Sequence, residues 1–372
     1  MKNRKNLWRQ AGSLALAGIL SLGMTCSAWA ATSIEQGVLK YEELEEVVST
    51  YNPTVKNQTD GHYTDIADYQ TMADDLRFAR QDQLALAEQY KENGNTEAAA
   101  IAKSNAASLS KSAKQMDDRI EALTSWSGSS SVRSVVNTQV KNMQTLLINY
   151  SKTKANQELQ AKNVEMMQAK YESAVTKSTS GLATEADVLT AQKNLEAARN
   201  NLTSTNNSLE SQKEKLCQLV GMASDSALEI GGIPEADVTF ASSIDTAADI
   251  EKAVNNDSSV ISARHTSAKG TAAKNTRATS EANAEAAART SYEETYQALL
   301  QAQTQYQAAN EAYQSALLTY QSLQRQQNLG MIGRLEYLQG EVTYLQSKSS
   351  WESAKLSFRQ AQEDYQWMVT AQ

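Results

Sequence analysis

Large apolar residues recur every seven positions through two stretches of the chain, with mostly polar residues between them. In 180–220, Val188, Leu195, Leu202, Leu209 and Leu216 fall seven apart, and Ala191, Ala198, Thr205, Gln212 and Leu219 follow three positions on. In 329–369 the corresponding rows are Tyr337, Tyr344, Trp351, Phe358 and Tyr365, then Gly340, Ser347, Ala354, Ala361 and Met368. Such a pattern predicts helices that supercoil left-handedly on a neighbour, because 3.6 residues per turn drifts against a period of seven. The small, polar second row either lets helices approach closely or marks a face only partly covered.

Every one of these pairs is offset by 149 residues, and so are Gly181 and Gly330 ahead of them. Two heptad helices in matching register, each opened by a glycine turn, point to an internal duplication. Each copy also begins alike. Asn52-Pro53 reads as an N-cap followed by proline at the first helical position, and Asp257-Ser258 has the same shape. Here the offset is 205, so the first half holds 56 more residues between helix start and glycine turn. That excess falls in 80–135, a helical stretch punctuated at Asn93-Gly94-Asn95 and at Ser125–Ser131. The elements expected are helices over 41–51, 53–123 in pieces, 134–178 and 184–220. A Gly/Pro-containing connection with room for a short strand follows, then helices over 245–255, 258–328 (with a break near Gly270) and 334–370. The organisation is therefore a first helical repeat at 31–220, a linker at 221–243 and a second helical repeat at 244–372. The fold class is all-α: long antiparallel helical hairpins of the coiled-coil type.

The two turns carry their own signals. Gly181 and Gly330 suit the left-handed position that ends a helix. Thr184 with Asp187 forms a capping-box pattern, and Gly333 with Glu336 a weaker version. Leu182-Ala183 and Met331-Ile332 place apolar residues at the tips, serving either to staple the turn or to dock another protein.

Composition narrows the picture. Residues 1–30 read as a secretory signal peptide: Lys2, Arg4, Lys5 and Arg9, an apolar run from Ala11 to Met24, then Ala28-Trp29-Ala30, with cleavage expected after Ala30. An uncleaved anchor is the alternative, although the run falls short of the roughly 20 apolar residues a membrane span needs. Cys26 follows a poor lipobox. Without those residues the chain holds 31 Lys+Arg against 43 Asp+Glu, a net charge of −12, which argues against nucleic acid and against an anionic membrane surface. Cys217 is then the single cysteine, so no intramolecular disulfide forms. Three phenylalanines and two prolines suit long, thin hairpins rather than a broad core. Catalysis is not expected: His62 and His265 lack ligand-like neighbours, no phosphate loop follows a strand, and no cofactor or metal site is indicated.

The order of these motifs resembles the TolC family of outer-membrane efflux and type I secretion proteins. YNPTV at 51–55, GLATEADVLTAQ at 181–192 and GMIGRLEYLQGE at 330–341 carry the resemblance, which covers nearly all of the mature chain. It implies a homotrimer whose hairpins form a hollow α-helical tunnel, of the α-tunnel type. That tunnel would meet an inner-membrane transporter through a periplasmic adaptor (a membrane fusion protein). It also implies that Gly181, Leu182, Ala183, Thr184, Gly330, Met331, Ile332 and Gly333 are the adaptor-docking tips. The family's repeats carry β-hairpins for a shared outer-membrane barrel, which show alternating hydrophobicity and aromatic girdles. The corresponding places, 124–136 and 262–290, are respectively too short and without large apolar residues. Little or no β-barrel is therefore expected, and the location is the cell envelope, either the outer membrane or a periplasmic, extracytoplasmic site. The alternative function is a non-conducting coiled-coil scaffold or adaptor-like envelope protein.

Overall fold

The structure is a computed structural model that describes residues 34, 37–125, 128–224 and 226–370; the expected signal peptide lies outside the described residues. The described residues are almost wholly helical. The elements are β1 (Val38–Leu39), α1 (Leu44–Tyr51), α2 (Pro53–Glu92), α3 (Thr96–Thr124), α4 (Ser130–Thr179) and α5 (Glu185–Leu219). They continue with β2 (Glu229–Ile230), α6 (Thr246–Asn256), α7 (Ser258–His265), α8 (Thr271–Asn328) and α9 (Arg334–Val369).

The helix ends follow from local chemistry. Asn52 caps α2, its side chain accepting from the N–H groups of Thr54 (2.9 Å) and Val55 (3.1 Å), with Pro53 inside the first turn. Asn95 caps α3 through Ala98 N–H, Asp245 caps α6, and Asp257 caps α7. Four helices end alike. Gly94, Gly181, Gly221 and Gly330 adopt φ of 75°, 71°, 68° and 68°. In each case the next residue's N–H reaches back to the carbonyl five positions earlier, as Leu182 does to Lys177 and Met331 to Gln326. Only glycine enters that left-handed well without steric cost.

Three antiparallel pairs result: α2 with α3, α4 with α5, and α8 with α9, while α4 also packs along α9. The body is thus a layer of four long helices in the order α5–α4–α9–α8. At 1.5 Å per residue, the 50-residue α4 is about 75 Å long. The two inner helices have neighbours on both sides. Among the described residues, α5 packs substantially along α4 alone, and α8 packs along α9 and the short α6 and α7.

The helix starts and returns converge on one level. There Leu39, Leu44, Val47, Val48, Met143, Leu147, Leu216 and Cys217 form the main core. Each such side chain contributes about 1.5–3 kcal/mol on burial. The β1–β2 pair, two residues a side and parallel, ties the linker to this core: Glu229 N–H donates to Gly37 and Gly231 N–H to Leu39. Beside it, Ala253, Tyr292, Leu299, Phe358 and Tyr365 form a second core. Two amides clamp the level in matching ways. Asn52 Nδ2 donates to the Leu219 carbonyl and Asn256 Nδ2 to the Val369 carbonyl, both at 2.8 Å, joining the end of each return helix to the start of its repeat.

The expected elements are present, including the interruption at Gly270 and the short strand in the linker. Two details differ. Gly333 at the N-cap of α9 has no side chain to accept from the Glu336 N–H, so the second capping box does not form. The extra residues of the first half form an antiparallel helical hairpin, α2–α3. The described residues of 124–136 hold the end of α3 and the start of α4, 262–290 holds the end of α7 and the start of α8, and β1 and β2 are the only strands among the described residues. No helix among the described residues is long and apolar enough to cross a membrane.

Candidate docking tips and open helix edges

The tips are built differently despite their common turn. At the first, Thr184 Oγ1 accepts from Asp187 N–H (3.2 Å), and Thr184 N–H and hydroxyl both donate to the Asp187 carboxylate (2.8 Å each). The Thr184 backbone N–H is the main cause that holds this carboxyl below its usual value, followed by the Thr184 hydroxyl. Leu182 is 79% exposed, while Ala183 is half-buried against the turn. At the second tip Met331 is 69% exposed and Ile332 half-buried. Each tip therefore holds one apolar residue stapling the turn and one presented outward. Sequence reasoning missed further exposed apolar residues near the tips: Val175 and Leu189, one heptad either side of Leu182, and Leu318 and Leu329. The seven-residue spacing of 175, 182 and 189 was the available signal.

The tips lie at nearly the same distance from the helix ends behind them: Gly181 is 38 residues before Leu219 on one return helix, and Gly330 is 39 residues before Val369 on the other. Arg334, one turn past Gly330, pairs with Glu165 of α4 at 3.5 Å.

The α4–α9 contact holds the repeats together through polar groups. Lys348 pairs with Glu158 (2.7 Å) and Lys162 with Glu341 (3.3 Å). Nearer the main core, Trp367 Nε1 donates to Gln144 Oε1 (2.8 Å), Gln144 Nε2 donates to Glu363 (3.2 Å), and Arg359 pairs with Glu363 while lying over the Tyr41 ring. Within the second hairpin the seam is aromatic. Tyr313 stacks on Trp351 at 4.7 Å and Tyr320 on Tyr344 at 4.6 Å. Burial pushes the Tyr344 hydroxyl up to about 12 and drives that of Tyr365 higher, so both stay neutral and available as hydrogen-bond donors. Tyr365 donates to Asp249 (2.9 Å) and shares a 3.0 Å contact with Tyr292, which fixes α6 on the second hairpin.

These features define a class: a two-repeat layer of long helical hairpins, open at both edges, with both glycine turns at one end. No protein-family model matches the chain, and no curated protein matches it. Among solved structures the fold is similar to a membrane protein from Pseudomonas aeruginosa, at 12% identity over 89% of this chain and 90% of that one, with a TM-score of 0.52. Alignments also exist with CusC, a transmembrane channel (12%, 89% and 92%, TM-score 0.46), and with the outer membrane protein VceC from Vibrio cholerae (13%, 88% and 95%, TM-score 0.41). The likeness lies in the fold alone, and it agrees with the all-α reading of the sequence.

Proposed function

We propose that the mature chain is the building block of an oligomeric α-helical duct, TolC-like in fold, that carries cargo across the cell envelope. The observation that carries this reading is the open four-helix layer, in which α5 and α8 each pack one face within the chain and leave the other to solvent. Copies set edge to edge would cover both faces, and a contact between two different edges closes into a ring when its rotation allows. Three copies are expected from the family resemblance. Residues 31–220 and 244–372 would each supply one hairpin of staves, and the linker 221–243 would join them. Gly181–Thr184 and Gly330–Gly333 would meet a periplasmic adaptor and, through it, an inner-membrane transporter. The reading needs no catalysis and no cofactor.

A second reading, a non-conducting extracytoplasmic scaffold, is favoured by one observation: 271–290, most of one of the two places where barrel strands are expected, is the start of the long helix α8. Mass measurement and electron microscopy of the mature protein separate the two. The duct reading expects three copies around a hollow axis. A stable monomer or a solid two-stranded rod would sink it, and a closed ring with no channel would favour the scaffold.

A further inference from the structure

One stretch of the long helices is left bare. Every residue of 271–280, the start of α8, is exposed, whereas the remainder of α8 packs residues at regular intervals. It is rich in small residues, and with the turn before it carries Lys269, Lys274 and Arg277. Arg264 and Arg289 are already engaged, by Glu281 with Glu285 and by Glu251 respectively. Lys269, Lys274 and Arg277 form no ion pair among the described residues. The opposite situation holds on α2. Its seam toward α3 runs through Ile66, Ala73 and Ala87, and its far side presents Asp60, Asp68, Asp75 and Asp82, all exposed and in no ion pair among the described residues. Phe78 stands among them, 65% exposed.

The two surfaces lie at the same height. The Asn52–Leu219 and Asn256–Val369 clamps set a common level, since Trp367 bonds to Gln144 and Leu216 packs in the same core as Met143. From that level α2 rises so that Asp60 lies about 10 Å and Asp68 about 22 Å above it, at 1.5 Å per residue. The Tyr292–Tyr365 contact fixes α8, which places Arg277 about 16 Å and Lys274 about 21 Å above the same level. Within one chain they cannot meet, because α2 and α8 flank opposite sides of the layer. α2 continues the line of α5 at one edge, and α8 is the other edge.

We infer that the acidic outer face of α2 docks on the bare start of α8 in a neighbouring copy, forming a charged helical collar above the clamps. The partner is a second copy of this chain, selected by opposite charge at equal height. Lys274 lies level with Asp68, Arg277 lies between Asp60 and Asp68, and Ala272, Ala273 and Thr276 leave room for close approach. This rests on the edge-to-edge assembly proposed above and adds a contact that assembly does not require.

Charge exchange tests it on the mature protein. Asp60→Lys with Asp68→Lys, or Lys274→Asp with Arg277→Asp, should each raise the dissociation constant of the assembly at low salt by about tenfold, the size expected of rim charges. All four substitutions in one chain should restore it. Under mild oxidation Asp68→Cys with Lys274→Cys should link neighbouring copies covalently, while the native Cys217 stays silent because it is fully buried. An assembly that keeps its mass but tolerates every charge change and gives no cross-link overturns the collar and leaves the duct standing. A monomeric wild type overturns both.

Discussion

Gly221 marks the point where the end of α5 approaches the end of α1. Its φ is 68°, and a Cβ there would sit 2.7 Å from the Tyr51 carbonyl oxygen. At Gly181 and Gly330 the backbone is equally left-handed, but open space surrounds the position. Alanine at either tip should cost about 1–2 kcal/mol, the left-handed penalty alone. Gly221→Ala adds a clash with backbone that cannot move aside, so its loss in denaturant unfolding should exceed that of Gly181→Ala by about 1–2 kcal/mol. Equal losses would mean that the contact with Tyr51 relaxes freely. At this scale the sequence was informative where partners are local. Asn52 as a cap, the glycine turns and the Thr184–Asp187 box are all legible within four residues. The second bond of Asn52, to Leu219, was not legible, since its partner lies 167 positions away. Nor did the sequence tell which of Met331 and Ile332 turns inward.

At the scale of elements, the heptads of α5 and α9 announced themselves because their residues are large. That of α3 did not. Ala99, Ala102, Ala106, Leu109, Ala113, Met116, Ile120 and Leu123 alternate at three and four and face α2, but the four alanines barely register as apolar. So thin a seam, helped by Arg77 Nη2 donating to both carboxylate oxygens of Asp117 (2.7 and 2.8 Å), holds a hairpin that packs on little else. Both partners are about half exposed, and such a pair adds at most about 1 kcal/mol. Ala106→Glu places a charge in the seam, and burying an unpaired charge exceeds what that seam supplies. Amide hydrogen exchange should then lose protection across 67–124 while α4, α5, α8 and α9 keep theirs. Loss spreading into α4 and α9 would show that the hairpin and the layer fold as one unit.

At the scale of the whole molecule, the fold class and both repeats were legible because duplication repeats the signal. The seam between the repeats was not, because it depends on scattered α4–α9 pairs such as Arg334–Glu165 and Lys348–Glu158. If the tips dock an adaptor, the one with the more exposed apolar residue, Leu182, should govern capture. Leu182→Asp should weaken adaptor co-purification by about tenfold, the effect of placing a charge at a desolvated contact. Met331→Asp should weaken it less, with helicity unchanged in both. A larger loss from Met331→Asp would reverse the assignment. The level tips also bear on symmetry. Two turns at one height would give a ring of three an end with six teeth in one plane, so that a six-part partner could meet all of them at once. The teeth would still alternate in chemistry, one closed by the Thr184–Asp187 box and the next without a side-chain cap. Neighbouring sockets on such a partner would then be inequivalent, and the joint would be keyed to steps of 120°.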